Sequence, residues 1–174
     1  MVKIYQTLDE ALEDIGFNGR KRIATLLNGL NAPKKFDYGQ QAFDEIMKWL
    51  FNFLQSQEIT REHTSVFLQM FCDVVANAYR EDIQIHGAET VQASCYLGNL
   101  GILLGTKQTR GFFTSEQLAL LKSGQNVQST DERHGGGYGT RSFFEYGKGL
   151  LLLPEQKEIH VSMSLDTKFN KEFG

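Results

Sequence analysis

Asp73 and Asn77 stand four residues apart, so a helix through them places both on one face, at the border of an apolar stripe containing Met70, Val74 and Ala78. Polar groups at such a border need a partner or water. Two roles suit them. As structure, they solvate the helix edge or bond a neighbouring loop, and spacing alone favours that role by about three to one. As a site, Asn77 offers an amide oxygen to Mg²⁺ and Asp73 orients water beside a phosphate, because hard cations prefer oxygen ligands. A second candidate is the glycine run Gly135, Gly137 and Gly139, directly ahead of a short helix. Glycine backbone can turn sharply and present N–H groups to an anion, and a helix start adds its positive dipole end. The plain alternative is a turn or lid without a ligand. A glycine loop alone carries little, and the helix after it adds weight.

These residues depend on the elements around them. Thr7-Leu8-Asp9-Glu10 has the form of a capping box and predicts a short helix that stops near Gly16. A second helix is expected over 20–27, ended by Asn28-Gly29 and the turn at Pro33. From Gln40, the residues Phe43, Ile46, Met47, Leu50, Phe51 and Leu54 recur with the 3.6 period of an amphipathic helix. A fourth helix follows from about Thr60 to Glu81, with Val66, Phe67, Met70, Phe71, Val74, Val75 and Ala78 as its stripe. The first 82 residues thus read as helical. The pattern then switches to period two. Val91 to Leu97, the turn Gly98-Asn99 and Leu100 to Leu104 read as a β-hairpin. Thr114 and Gln117 open a short helix through Leu121, and 123–133 read as a polar mobile loop. A short helix at Ser142 to Tyr146 and strands at Leu150–Leu153 and Lys157–Leu165, joined at Pro154-Glu155, complete the chain. The expected fold class is α+β, with a helical N-terminal segment (1–58) and a two-layer α/β sandwich in the second part (59–174), its sheet covered on one face by helices.

Composition narrows the function. With 174 residues, 41% hydrophobic and 22% charged, the chain can bury an ordinary core. Its longest apolar stretch falls short of the ~20 residues that cross a bilayer, and its N-terminus lacks the regions of a signal peptide. A cytoplasmic protein without membrane contact is expected. A net charge of −3 and no dense Lys/Arg run give no footprint for nucleic acid. Cys72 and Cys95 fall on apolar faces and read as small buried hydrophobes rather than disulfide or metal ligands. The cluster Trp49, Phe51, Phe53 and Leu54 exceeds what one short helix buries, so a homodimer through 40–56 is expected.

The segment from Gln69 to Ala78, with its order of acidic residue, two apolar residues, any residue, then Asn-Ala, resembles the N box of the GHKL (Bergerat-fold) ATPase superfamily, which includes histidine kinases. The segment His134-Gly135-Gly136-Gly137-Tyr138-Gly139-Thr140-Arg141-Ser142 resembles that family's glycine-rich box, which closes over nucleotide phosphates, in the version found in some bacterial sensor kinases. Two motifs in the family's order, within about residues 60–166, are more specific than either alone. They reverse the preference for a merely structural Asp73/Asn77 pair. The resemblance implies a histidine-kinase-like ATP-binding domain, with Asn77 toward Mg²⁺ and Asp73, Gly135, Gly137, Gly139 and Thr140 toward the nucleotide.

Two departures stand against full activity. The family's Asp-x-Gly-x-Gly box, whose Asp holds the adenine amino group, should follow the strand at Gly101 to Leu104. The sequence there is Gly105-Thr106-Lys107-Gln108-Thr109-Arg110-Gly111, without a carboxylate. Thr106 is the nearest candidate, and a neutral hydroxyl forgoes a charge-assisted bond worth ~1.5–3 kcal/mol. No His precedes His63, so the phosphoacceptor expected in a two-component kinase is missing. These features imply a pseudo-enzyme: a regulatory or adaptor protein that binds a signalling partner, with weak or no affinity for ATP and Mg²⁺. The alternative is an active ATP/Mg-binding kinase or ATPase with a nonstandard adenine pocket. A phosphotransfer intermediate ranks last, for want of an acceptor His.

Overall fold

The computed structural model describes residues 2–17, 28–31, 40–125, 127 and 141–166. The protein is a mixed α+β fold built on a six-stranded sheet in the order β1-β5-β6-β4-β3-β2. The strands are β1 (Lys3–Tyr5), β2 (Asn28–Asn31), β3 (Thr90–Leu97), β4 (Gly101–Lys107), β5 (Gly149–Leu153) and β6 (Glu158–Ser164). β1 runs parallel to β5 and every other pairing is antiparallel. The described helices are α1 (Leu8–Asp14), α2 (Gln40–Ser56), α3 (Arg61–Tyr79), α4 (Ser115–Lys122) and α5 (Arg141–Tyr146). α3 continues into a π-helical turn, Arg80–Ile85. The helix expected over 20–27 lies outside the described residues, as does most of the segment read as a mobile loop.

Local chemistry accounts for the helix starts. The Thr60 hydroxyl accepts from the His63 N–H at 3.1 Å and caps α3. At α4 the capping box is complete, with Thr114 Oγ1 accepting from Gln117 N–H and Gln117 Oε1 from Thr114 N–H. At α1 only half of it forms. Thr7 caps Glu10 N–H, but the Glu10 carboxylate takes the Gln6 N–H instead of that of Thr7.

One sheet face carries Val91, Ala93, Cys95 and Leu97 of β3, Ile102 and Leu104 of β4, and Ile159, Val161 and Met163 of β6. These pack with Leu50 and Leu54 of α2 and Phe67, Phe71, Val74 and Val75 of α3 into the main core. Burial pushes the Cys95 thiol pKa far up, consistent with a packing role.

The expectation of a single covered face is corrected by α1. On the opposite side of the sheet, Ala11 and Ile15 of α1 pack with Tyr5, Tyr96, Leu103 and Leu151 in a second, smaller core. β4 is therefore central and buried on both faces, which explains why Gly101 to Leu104 is a continuous apolar run instead of an alternation. The N-terminal segment is also not wholly helical, since β1 and β2 belong to the sheet. Three or four residues are too few for period two to register, and only pairing with β5 and β3 makes them strands.

Polar contacts fasten β1 and α1. Tyr5 donates its hydroxyl proton to Asp14 and shares a 2.8 Å hydrogen bond with Ser162, while Lys148 pairs with Asp14 at 3.3 Å. Burial works to raise the Asp14 pKa, but the hydrogen bonds from Tyr5 and Lys148 and the charges of Lys148 and Lys3 outweigh it and hold it below the usual carboxylate value. At its far end α1 meets the β3–β4 turn, where Leu100 N–H donates to the Ile15 carbonyl at 2.9 Å and Asn99 N–H to that of Gly16 at 3.1 Å.

Candidate functional site

α3 positions Asp73 and Asn77, because its apolar stripe must face β3 and β4 and this orientation leaves both residues half-buried at the stripe's edge. The Asn77 side chain makes no hydrogen bond among the described residues, so its amide is available to a ligand or to water. α5 packs directly on α3. Gly135, Gly137, Gly139 and Thr140 themselves lie outside the described residues.

Thr106 lies on β4, opposite Ala93 of β3 and Ile159 of β6, on the face turned toward α3. It is 2% exposed, and among the described residues its hydroxyl has no hydrogen-bond partner. A buried hydroxyl without a partner is destabilising by about 1–3 kcal/mol. Thr106→Val keeps the shape and removes the hydroxyl, so it is expected to raise stability by about 1 kcal/mol in urea unfolding. A loss of stability would mean that the hydroxyl is bonded in solution.

The best-satisfied group nearby is one that sequence reasoning did not single out. Asp82 is fully buried (0% exposed) at the π turn that ends α3. Its Oδ1 accepts from the N–H of Arg110 and of Gly111, both at 2.7 Å, and its Oδ2 from the N–H of Thr109 at 2.8 Å and the Thr109 hydroxyl at 3.2 Å. Burial alone would raise the pKa of this carboxyl. The backbone hydrogen bonds of Gly111, Thr109 and Arg110, with the Thr109 hydroxyl, outweigh that and hold it below the usual carboxylate value. Three successive N–H groups converging on one anion form a nest.

The same loop is braced from outside. Lys157 Nζ donates to the carbonyls of Thr109 and Arg110 at 3.0 and 3.2 Å, and Arg110 Nη1 to the Gly87 carbonyl at 2.9 Å. Gln108 Nε2 reaches the Gly111 carbonyl at 2.7 Å. No spacing rule links residue 82 to 109–111. The only hint in the sequence is a carboxylate directly beyond the end of an apolar stripe.

Asn77 carries an amide oxygen, the class of ligand that hard cations take. Among the described residues no group of three or more His, Cys, Asp or Glu stands where it could hold a metal ion. A bound Mg²⁺ would thus draw its other ligands from phosphate and water, as that ion commonly does. His63 is buried, with its Nδ1 2.6 Å from the Thr60 hydroxyl at the start of α3. Trp49 is 37% exposed and stacks on Phe53, and Leu54 is buried. Among the described residues no helix is long and apolar enough to cross a membrane. In comparisons with known proteins, no family model, no curated protein and no solved structure matches this chain.

Proposed function

We propose that this chain is a histidine-kinase-like pseudo-enzyme, a regulatory or adaptor protein in intracellular signalling with weak or no ATP binding. The observation that carries this reading is the loop after β4. Where the resemblance calls for a carboxylate facing adenine, the chain has the sealed neutral hydroxyl of Thr106, and the N–H groups of Thr109, Arg110 and Gly111 are spent on Asp82. A base arriving there would find the Thr106 hydroxyl buried out of reach and the three N–H groups already taken, and groups so placed add little to a ligand's affinity.

The alternative, an ATP/Mg-binding kinase or ATPase, is favoured by one feature: the Asn77 amide, half-buried and without a hydrogen bond among the described residues. Calorimetry with ATP, GTP and ADP, each with and without Mg²⁺, on the native protein and on Asn77→Ala separates the two. The expected outcome is weak Mg²⁺-dependent binding or none, little preference between adenine and guanine, loss of any binding in Asn77→Ala, and no autophosphorylation. Micromolar, adenine-selective binding would replace the pseudo-enzyme reading with the alternative.

A further inference from the structure

We propose that β1 and α1 form a strap that opens as one unit while the rest of the fold stays closed, with the Asp14 carboxylate as its latch. The strap sits at the margin of the molecule. β1 is three residues long, lies at the edge of the sheet and, among the described residues, pairs with β5 alone. α1 has seven residues, about two turns, and its packing is the smaller core: Ala11 and Ile15, with Tyr5, against Tyr96, Leu103 and Leu151. The main core on the other face is made of different residues, and the strap reaches it only through Val2 and Ile4, which are partly buried. A unit that buries so few apolar side chains opens at a lower cost than the whole fold. Opening bares the apolar face of Tyr96, Leu103 and Leu151 and the outer edge of β5 without dismantling the α3 side.

The seat is shaped for the strap by glycines. A Cβ on Gly149 would lie 2.3 Å from the Tyr5 ring, and one on Gly101 would lie 3.1 Å from Ile15 Cγ2 as well as 2.6 Å from the Met163 carbonyl oxygen. Glycine lets the strap lie close, and the fastening is polar. The half-buried Asp14 carboxylate accepts from the Tyr5 hydroxyl at 2.5 Å and from Lys148 Nζ at 3.3 Å, so one group ties the two ends of the strap to each other and to the chain entering β5. Lys148 Nζ also donates to the Asp14 carbonyl at 3.3 Å, and Tyr5 meets Ser162 of β6. Lys3 faces both Asp14, at 3.9 Å, and Glu10, at 3.8 Å. Burial and the bond to Asp14 push the Tyr5 pKa far up, so Tyr5 stays a donor across the acid range. Burial opposes the charge of Asp14, but Tyr5, Lys148 and Lys3 hold its pKa below the usual value. The latch is therefore closed above the unfolded carboxylate value of about 3.9 and slackens as pH falls through the folded pKa.

The test is native-state amide exchange on the full chain. After correction for intrinsic rates, the amides of β1 and α1 are expected to exchange together, about a hundredfold or more faster than the slowest amides of α3 and β4. Val75→Ala trims a fully buried side chain of the main core. It destabilises the closed and the opened forms alike, so it is expected to speed α3 and β4 by about tenfold and leave β1 and α1 unchanged. Asp14→Asn is expected to speed β1 and α1 by about tenfold. Lowering the pH from 6 to 3 is expected to speed them by about fivefold in the native protein and to have no such effect in Asp14→Asn. Equal acceleration of both regions by Val75→Ala would overturn the strap, because β1 and α1 would then open only with the whole fold. An acid response that survives in Asp14→Asn would remove Asp14 as the latch and assign it to Glu10. Should Asp14→Asn not fold, Val75→Ala still decides the strap, and a native protein with equal exchange at pH 6 and pH 3 overturns the latch.

Discussion

Asp82→Ala is expected to lower the unfolding free energy by about 3 kcal/mol at neutral pH, since each donor left without a partner costs about 1–3 kcal/mol. The Gly111 N–H is buried and cannot be rehydrated in place, while those of Thr109 and Arg110 lie nearer the surface and recover part of the loss. The pH dependence follows from the direction of the shift. The folded-state pKa of Asp82 is depressed, so the stability that it contributes is present above the unfolded carboxylate value of about 3.9. That contribution is lost as pH falls below this value and through the folded pKa. Asp14 is shifted the same way and adds to the same acid limb. Urea unfolding from pH 8 to pH 2 would show the gap between native protein and Asp82→Ala level down to about pH 5 and closing below about pH 4. A gap that persists to pH 2 would mean that the loop is not held by the charged carboxylate.

Gly98→Ala is expected to be of similar size, about 3 kcal/mol, for a different reason. A Cβ at residue 98 would lie 2.0 Å from the Ile15 carbonyl oxygen, 2.8 Å from its carbon and 3.0 Å from the carbonyl carbon of Gly16. All three are backbone atoms, so no side-chain rotation relieves the clash. The C-terminal end of α1 must lift from the β3–β4 turn, giving up the bonds from Leu100 and Asn99 and uncovering Ile15 and Leu103. Gly105 is a useful contrast. Its Cβ would meet the His160 ring and the Ser94 hydroxyl, which are side-chain atoms with some freedom to move. Thermal melting with amide exchange would show lower stability in Gly98→Ala and loss of protection concentrated in α1. A change within about 0.5 kcal/mol would show that α1 is not fixed by this contact.

Much of the fold can be traced to local signals. The stripe from Val66 to Ala78 already demanded a helix with one buried face, and α3 buries those residues. Thr114 and Gln117 formed their box, and the expected hairpin formed with its turn one residue later, at Asn99-Leu100, so that the second strand starts at Gly101. These features depend on residues within a few positions of one another, so spacing and propensity are enough to reveal them. Asp73 and Asn77 fall in the same class. Their shared edge is a property of helix geometry, and the helix that carries them formed where the period placed it.

What only the tertiary structure decided lies at longer range. Lys3–Tyr5 and Asn28–Asn31 became strands because β5 and β3 offered them open edges, which no short segment can announce by itself. The side of the sheet that α1 covers was settled by Ile15, Leu103 and Leu151 meeting across the fold. Asp82 found its partners 27 to 29 positions away, in a loop whose own residues require only that some acceptor satisfy three converging N–H groups. The sequence by itself therefore determined which segments are helices and hairpins and which polar residues border them. The assembled sheet decided which of those polar residues are paired, as Asp82 is, and which, like Asn77, make no hydrogen bond among the described residues, because that depends on neighbours the chain brings together only on folding.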